Sequence, residues 1–160
     1  MKLGLALIQT AFSAQPRIDL EIVRHAEALG FHSVWAAEAY GCDAVTSATW
    51  LAAHTSTLKV GTAIMQIPAR SPACAAMTVL SLQALSGNRF ICGVGASGPQ
   101  VVEGWYGRPS NRPLARTREY VEIIRRAVAR EAPVEFDGEF YQHPYTGEGS
   151  SGLGKALKPI

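Results

Sequence analysis

Three glycines in six residues, Gly93, Gly95 and Gly98, are the strongest chemical signal in this chain. They follow the apolar run Phe90-Ile91-Cys92-Gly93-Val94, which reads as a strand buried on both faces. Without Cβ atoms, such residues let a backbone turn sharply and let a ligand approach the main chain. Pro99 suits the first position of a short helix, because its missing N–H would be unpaired there. Free N–H groups at a helix start attract anionic or carbonyl oxygens. The stretch therefore reads as strand, glycine loop and helix start, a device for holding a ligand at the carboxyl end of a strand. The spacing Gly93-x-Gly95-x-x-Gly98 also matches a dinucleotide fingerprint, which needs an acidic residue about 20 positions later at a second strand end. That distance falls at Arg116-Thr117-Arg118-Glu119, inside a helical pattern, and the loop follows the fourth strand rather than the first. The dinucleotide reading is set aside.

The elements that must position this loop alternate along the chain. Leu3 to Ile8 reads as a first strand, Gln9 to Gln15 as a polar loop. Pro16 and Asp19 precede a helix with Leu20, Val23, Ala26 and Leu29 on one face and Gly30 as its stop. Ser33 to Ala37 reads as a second strand, running into Glu38-Ala39-Tyr40-Gly41, and a helix from about Ala44 to His54 follows. Leu58 to Ile67 reads as one long third strand, leading into Pro68-Ala69-Arg70. Ser71-Pro72 caps a helix to Leu85, and a long helix from about Leu114 to Arg130 follows the glycine loop. Strand–helix repeated four times predicts an α/β fold with a parallel sheet and right-handed crossovers. Function then belongs at the carboxyl ends of the strands. Val134 to Tyr141 predicts a β-hairpin on the Asp137-Gly138 turn, and Gly147 to Gly152 a flexible tail.

Composition narrows the class. The 160 residues suffice for one domain, with 48% hydrophobic and 18% charged residues. A net charge of +2 gives no argument for nucleic acid. The basic residues of Arg112 to Arg130 are interleaved with Glu119 and Glu122 and read as a solvated helix face. Cys42, Cys74 and Cys92 lack metal spacing and read as buried, reduced thiols of a cytoplasmic protein. No apolar run is long enough to span a membrane, and no secretory leader is seen.

Taken together, the segments resemble the bacterial luciferase-like monooxygenase superfamily, most closely its branch of oxidoreductases that use the deazaflavin coenzyme F420. The resemblance is carried in order by Val34 to Tyr40, Gly61 to Pro72, Ala84 to Phe90, Gly93 to Gly107, Arg116 to Val121 and the Asp137-Gly138 hairpin. It implies a (β/α)8 TIM-barrel fold, with the flavin or deazaflavin ring at the carboxyl ends of the strands. It further implies a non-proline cis peptide at Ala63–Ile64 behind the ring. The loop Gly95-Ala96-Ser97-Gly98 would run along the cofactor edge. Arg70 stands where it would either meet an anionic tail of the cofactor or cover the start of the third helix. Some deazaflavin-dependent dehydrogenases of this superfamily place a His just after the second strand as a base; here Glu38-Ala39-Tyr40 stands instead. Glu38 and Tyr40 are the nearby groups able to exchange a proton or hold a polar substrate. For Glu38, a structural hydrogen-bonding role stands beside the catalytic one.

The resemblance implies hydride transfer between F420 and a small organic substrate. The alternatives are an FMN-dependent monooxygenase that reduces molecular oxygen, and a catalytically inactive half barrel that serves assembly. A full barrel takes about 250 residues, so the chain is expected to supply four β/α units within residues 1–133, followed by a hairpin and tail at 134–160. Its open edges call for a homo-oligomer or for a missing C-terminal half. Partners are otherwise a small-molecule substrate, with neither nucleic acid nor membrane.

Overall fold

The computed structural model describes residues 1–12, 15 and 17–160, with the side chains of residues 9 and 10 outside the description. The expectations for Ser13, Ala14 and Pro16 lie outside the described residues.

The alternation read from sequence is present. Strand β1 (Gly4–Leu7) runs into a 3-10 turn (Ile8–Phe12), which takes the front of the expected polar loop. Helix α1 (Leu20–Ala28) follows, then β2 (Ser33–Ala36) and α2 (Ala44–His54). Next come β3 (Lys59–Thr62), β4 (Met65–Gln66), α3 (Pro72–Leu85), β5 (Phe90–Ile91) and β6 (Val94–Gly95). The short α4 (Pro99–Gly104) and the long α5 (Pro113–Ala129) complete the pattern.

The helix starts follow capping chemistry. Asp19 accepts from the N–H groups of Glu21 and Ile22, Asp43 from Thr46, and the Ser71 hydroxyl from Cys74. Leu29, expected on the buried face of α1, is 64% exposed, because the helix ends at Ala28 and Leu29 is its cap.

The four-stranded sheet is parallel throughout, in the order β1-β2-β3-β5. Chain order without reversal is the arrangement of a barrel; an open doubly wound sheet reverses at a switch point. Leu5, Val34, Val60 and Phe90 stand in register. They share one cluster with Val23 of α1, Leu51 of α2 and Leu82 of α3, so the helices cover one face. The next row, Ala6, Trp35, Gly61 and Ile91, points to the other face, the barrel lumen. There the Trp35 indole lies across Gly61 and donates to the Ser33 hydroxyl at 2.9 Å. Any Cβ at position 61 would occupy the indole's place.

The long third strand and the short fourth strand expected from sequence are each broken. The third splits at Ala63–Ile64 and the fourth at Cys92–Gly93, and the halves beyond the breaks pair with each other as β4 and β6. Met65 of β4 and Ile67, which opens the following 3-10 turn (Ile67–Ala69), pack with Tyr120 of α5 in a second cluster.

The hairpin also differs in register. Asp137 is a strand residue paired with Gln142, so β7 (Phe136–Asp137) and β8 (Gln142–His143) flank a turn at 138–141. The reason is Glu119 on α5, whose carboxylate accepts from the N–H groups of Glu139, Phe140 and Tyr141 at 2.9–3.2 Å. This clasp outweighs the tight Asp-Gly turn. Arg116 stacks on the Phe140 ring at 4.4 Å.

Of the cysteines, Cys74 is exposed rather than buried, because it lies on the outer side of α3's first turn; Cys42 and Cys92 are half-buried.

Candidate active site at the strand ends

The segment after β2, the start of α2, strand β4 and Arg70 converge on one buried carboxylate. Glu38, just past β2, accepts from the N–H of Ala44 at 3.0 Å and from that of Gln66 at 2.6 Å. Arg70 donates to both of its oxygens, Nη1 at 3.0 Å and Nη2 at 2.9 Å. A carboxylate has about four lone-pair positions, and all are taken. Asp43, the N-cap of α2, receives Arg70 Nη2 at 3.3 Å. Burial opposes the charge on Arg70, but the Glu38 carboxylate outweighs it and raises its pKa above the ordinary value. The phenol of Tyr106 is pushed up by burial and by Glu38.

This knot fixes the β3–β4 bulge. The Ala63–Ile64 peptide is cis, as the resemblance implies. Ala63 donates its N–H to the carbonyl of Ala36 at 2.7 Å, and Met65 donates to that of Gly93 at 2.7 Å. The Thr62 hydroxyl bonds Gly93 at both its N–H (3.0 Å) and its carbonyl (2.8 Å). A Cβ on Gly93 would fall on the Thr62 carbonyl oxygen, and one on Gly95 would stand 2.9 Å from Ile64 Cδ1. Glycine at both positions lets the fourth-strand loop lie flush on the bulge. Ala63 remains exposed beside it, Ala96 is half-buried, and Ser97 adopts a left-handed φ of 64° before the exposed Gly98. These residues present a nearly side-chain-free wall, which suits the face and edge of a planar ring.

Beyond the wall lies a cavity of about 560 Å³. Arg70, Ala96 and Ser97 line it, together with Arg108 from the α4–α5 loop and Arg116 from α5. Among the described residues, none that lines it is acidic. Sequence reading took Arg112 to Arg130 as a solvated face, and Arg116 is the exception: it points inward because Phe140 gives its guanidinium a ring to stack on. The one sequence cue was an aromatic in a turn far downstream, which names no partner.

Tyr40, two residues past Glu38, does not line this cavity; it stands 57% exposed, edge-on to Phe12 with ring centroids 5.9 Å apart. Trp105 is 64% exposed. Cys92, beneath the bulge, has its thiol pKa raised by burial, which keeps it protonated and unreactive. His54 is tied to its own helix, its Nδ1 2.8 Å from the carbonyl of Trp50. No group of His, Cys, Asp and Glu among the described residues could hold a metal. No helix among them is long and apolar enough to cross a membrane.

A parallel β/α arc in chain order, with a wall poor in side chains at the carboxyl ends of its strands, is the first four units of a TIM-type barrel. The chain belongs to the luciferase-like monooxygenase family, whose model matches residues 6–150. It is 52% identical, over all of its own length and 46% of the relative's, to a Mycobacterium tuberculosis protein provisionally named a coenzyme F420-dependent oxidoreductase. Among solved structures it is similar to the monooxygenase RslO1 of Streptomyces bottropensis (TM-score 0.78, 27% identity, 89% of this chain and 47% of that one). It is also similar to the coenzyme F420-dependent tetrahydromethanopterin reductase of Methanopyrus kandleri (TM-score 0.73, 25% identity, 91% and 44%). The chain thus spans about half the length of the relatives it matches.

Proposed function

We propose that this chain forms the coenzyme-binding half of an oxidoreductase that transfers hydride between coenzyme F420 and a small organic substrate. The reading is carried by the flush contact of the Gly95 loop with the Ala63–Ile64 bulge, in a chain 52% identical to a relative named for that coenzyme. The residues present fit the group: Ala63, Ile64, Gly95, Ala96, Ser97 and Gly98 would hold its ring. Bound there, the deazaflavin supplies the hydride donor or acceptor.

The protein's own side chains divide the remaining work. Glu38 acts as a positioning residue, because its lone pairs are spent on the Gln66 and Ala44 N–H groups and on Arg70. Arg70 holds Glu38 and, with Arg108 and Arg116, gives the adjoining cavity the positive field that suits an anionic part of coenzyme or substrate. Tyr40 is the exposed group able to hold a polar substrate or exchange a proton with it. Residues beyond four β/α units complete the cradle and select the substrate.

The second reading, a monooxygenase using reduced FMN, is favoured by the likeness to RslO1. Titration of the chain with F420 and, separately, with FMN decides between them, followed by the fluorescence of Trp35 and Trp105. Saturable quenching by F420 alone is expected, and Gly95→Val should weaken it at least tenfold by lifting the loop off Ile64. Quenching by FMN alone would move the assignment to the monooxygenase. Binding of neither would leave the inactive half barrel.

A further inference from the structure

Arg112, Arg116 and Glu119 fall four and three residues apart, which sets them along one side of α5 and its start. The turn at 138–141 lies on that side. Its Phe140 ring faces both guanidinium groups, 5.8 Å from Arg112 and 4.4 Å from Arg116. Arg116 also hydrogen-bonds the Tyr141 phenol. Arg116, Phe140 and Tyr141 all line the cavity of about 560 Å³ beside the glycine wall, whereas Glu119 does not.

Glu119 acts from behind. Its Oε1 accepts from the N–H of Glu139 at 2.9 Å, and its Oε2 from those of Phe140 at 2.9 Å and Tyr141 at 3.2 Å. Three residues from Arg116 on the helix, this carboxylate could pair with it instead. None of the ion pairs among the described residues joins them. The turn occupies the negative charge and in exchange presents its ring to Arg116. Position 138 shows how close the fit is, because a Cβ there would stand 2.5 Å from Glu119 Oε2.

We infer that Glu119 is a positioning residue for anion binding in this cavity: by holding the turn, it keeps Phe140 stacked on Arg116 and Arg116 aimed into the cavity. The inference rests on the proposed reading of that cavity as the place for an anionic part of coenzyme or substrate. An arginine side chain has much rotamer freedom to lose, and a ring against its guanidinium plane removes part of it before a ligand arrives. A donor ordered in advance binds more tightly, since less ordering remains for the binding step. The sign of the effect separates positioning from plain electrostatics. Removing a carboxylate beside a cationic cavity should, by its field alone, tighten an anion. Losing the position of Arg116 should weaken it.

Pyrophosphate titrated into the 160-residue chain, followed by the NMR signal of the Arg116 Nε–H group, tests this. Arg116→Met assigns the signal by its disappearance. In the wild type the Phe140 ring current should displace the signal from the usual arginine position, and pyrophosphate should move it saturably. Glu119→Gln should return it to the usual position and weaken pyrophosphate at least tenfold. Gly138→Ala displaces the carboxylate without removing it, and gives the same readout should Glu119→Gln unfold. Arg126→Met loosens the hairpin away from the turn, where Arg126 stacks on Phe136 and donates to the Glu135 carbonyl at 2.8 Å. It should leave the affinity within twofold. Unchanged or tighter binding in Glu119→Gln and Gly138→Ala would overturn the inference, as would an equal loss in Arg126→Met. A wild type that ignores pyrophosphate would overturn it together with the anionic reading of the cavity, whichever coenzyme the chain binds.

Discussion

Both ends of the sheet are pinned by a Glu and an Arg, but in opposite ways. At the amino end, the turn before β3 is held by two ions that never touch. Glu27 Oε1 accepts from the N–H groups of Ser56, Thr57 and Leu58 and from the Thr57 hydroxyl. Arg89 spends its guanidinium N–H groups on the carbonyls of Ala52, Thr55, Leu58 and Ser86 and on the Thr55 hydroxyl. At the carboxyl end, Glu38 and Arg70 meet each other, and backbone fills only the remaining sites of Glu38. The first arrangement is a clamp on one turn. The second fixes two separate segments, α2 and the β3–β4 bulge, relative to a charge that faces the cavity. A carboxylate at a strand end is therefore not by itself a base; which partners it already has decides its role.

The sharpest way to break the comparison is Glu38→Ala. It strands a buried guanidinium and two N–H groups, and should cost about 3–5 kcal/mol in urea unfolding. Adding Arg70→Met should recover much of the loss, because a neutral pair removes the stranded charge. A double variant whose loss equals the sum of the two single losses would show that the ions do not act as a pair. At the other end, Arg89→Met leaves several carbonyls without donors and should cost about 2–4 kcal/mol, with no partner substitution able to rescue it.

Glu27→Gln should have the smallest effect, about 1 kcal/mol, because the site is solvent-screened. Burial alone would raise the Glu27 pKa, but the Thr57, Leu58 and Ser56 N–H groups outweigh it and lower the value from 4.5 to about 2. The folded-state pKa is depressed, so its contribution is present above pH 4.5 and is lost as pH falls toward 2. Wild type and Glu27→Gln should therefore converge in stability across that acid range. Parallel curves would mean that the carboxylate does not clamp the turn.

The fold was legible because strand and helix patterns alternate with caps at the starts: Asp19 and Ser71 announce α1 and α3 in sequence and cap them in space. The wall of the site was legible through Gly93, Gly95 and Gly98, since a backbone that must approach another backbone excludes side chains. The strand breaks were not, because Leu58 to Ile67 carries no turn signal at Ala63–Ile64 and the break depends on Thr62 gripping Gly93, 31 residues away. Neither was the occupancy of Glu38, whose guanidinium partner lies 32 residues downstream. Pairings at that distance leave no periodic trace.

The clasp of Glu119 on the N–H groups of Glu139, Phe140 and Tyr141 has a consequence for enzymatic digestion. A protease must draw an extended stretch of backbone into its cleft, and this turn's amides are already committed to a helix carboxylate. The hairpin behaves as a rider on α5 rather than as a loop. Brief treatment with a broad-specificity endoprotease should spare it and cut first within the exposed run from Tyr145 to Gly149, leaving the strand arc and its hairpin in one piece.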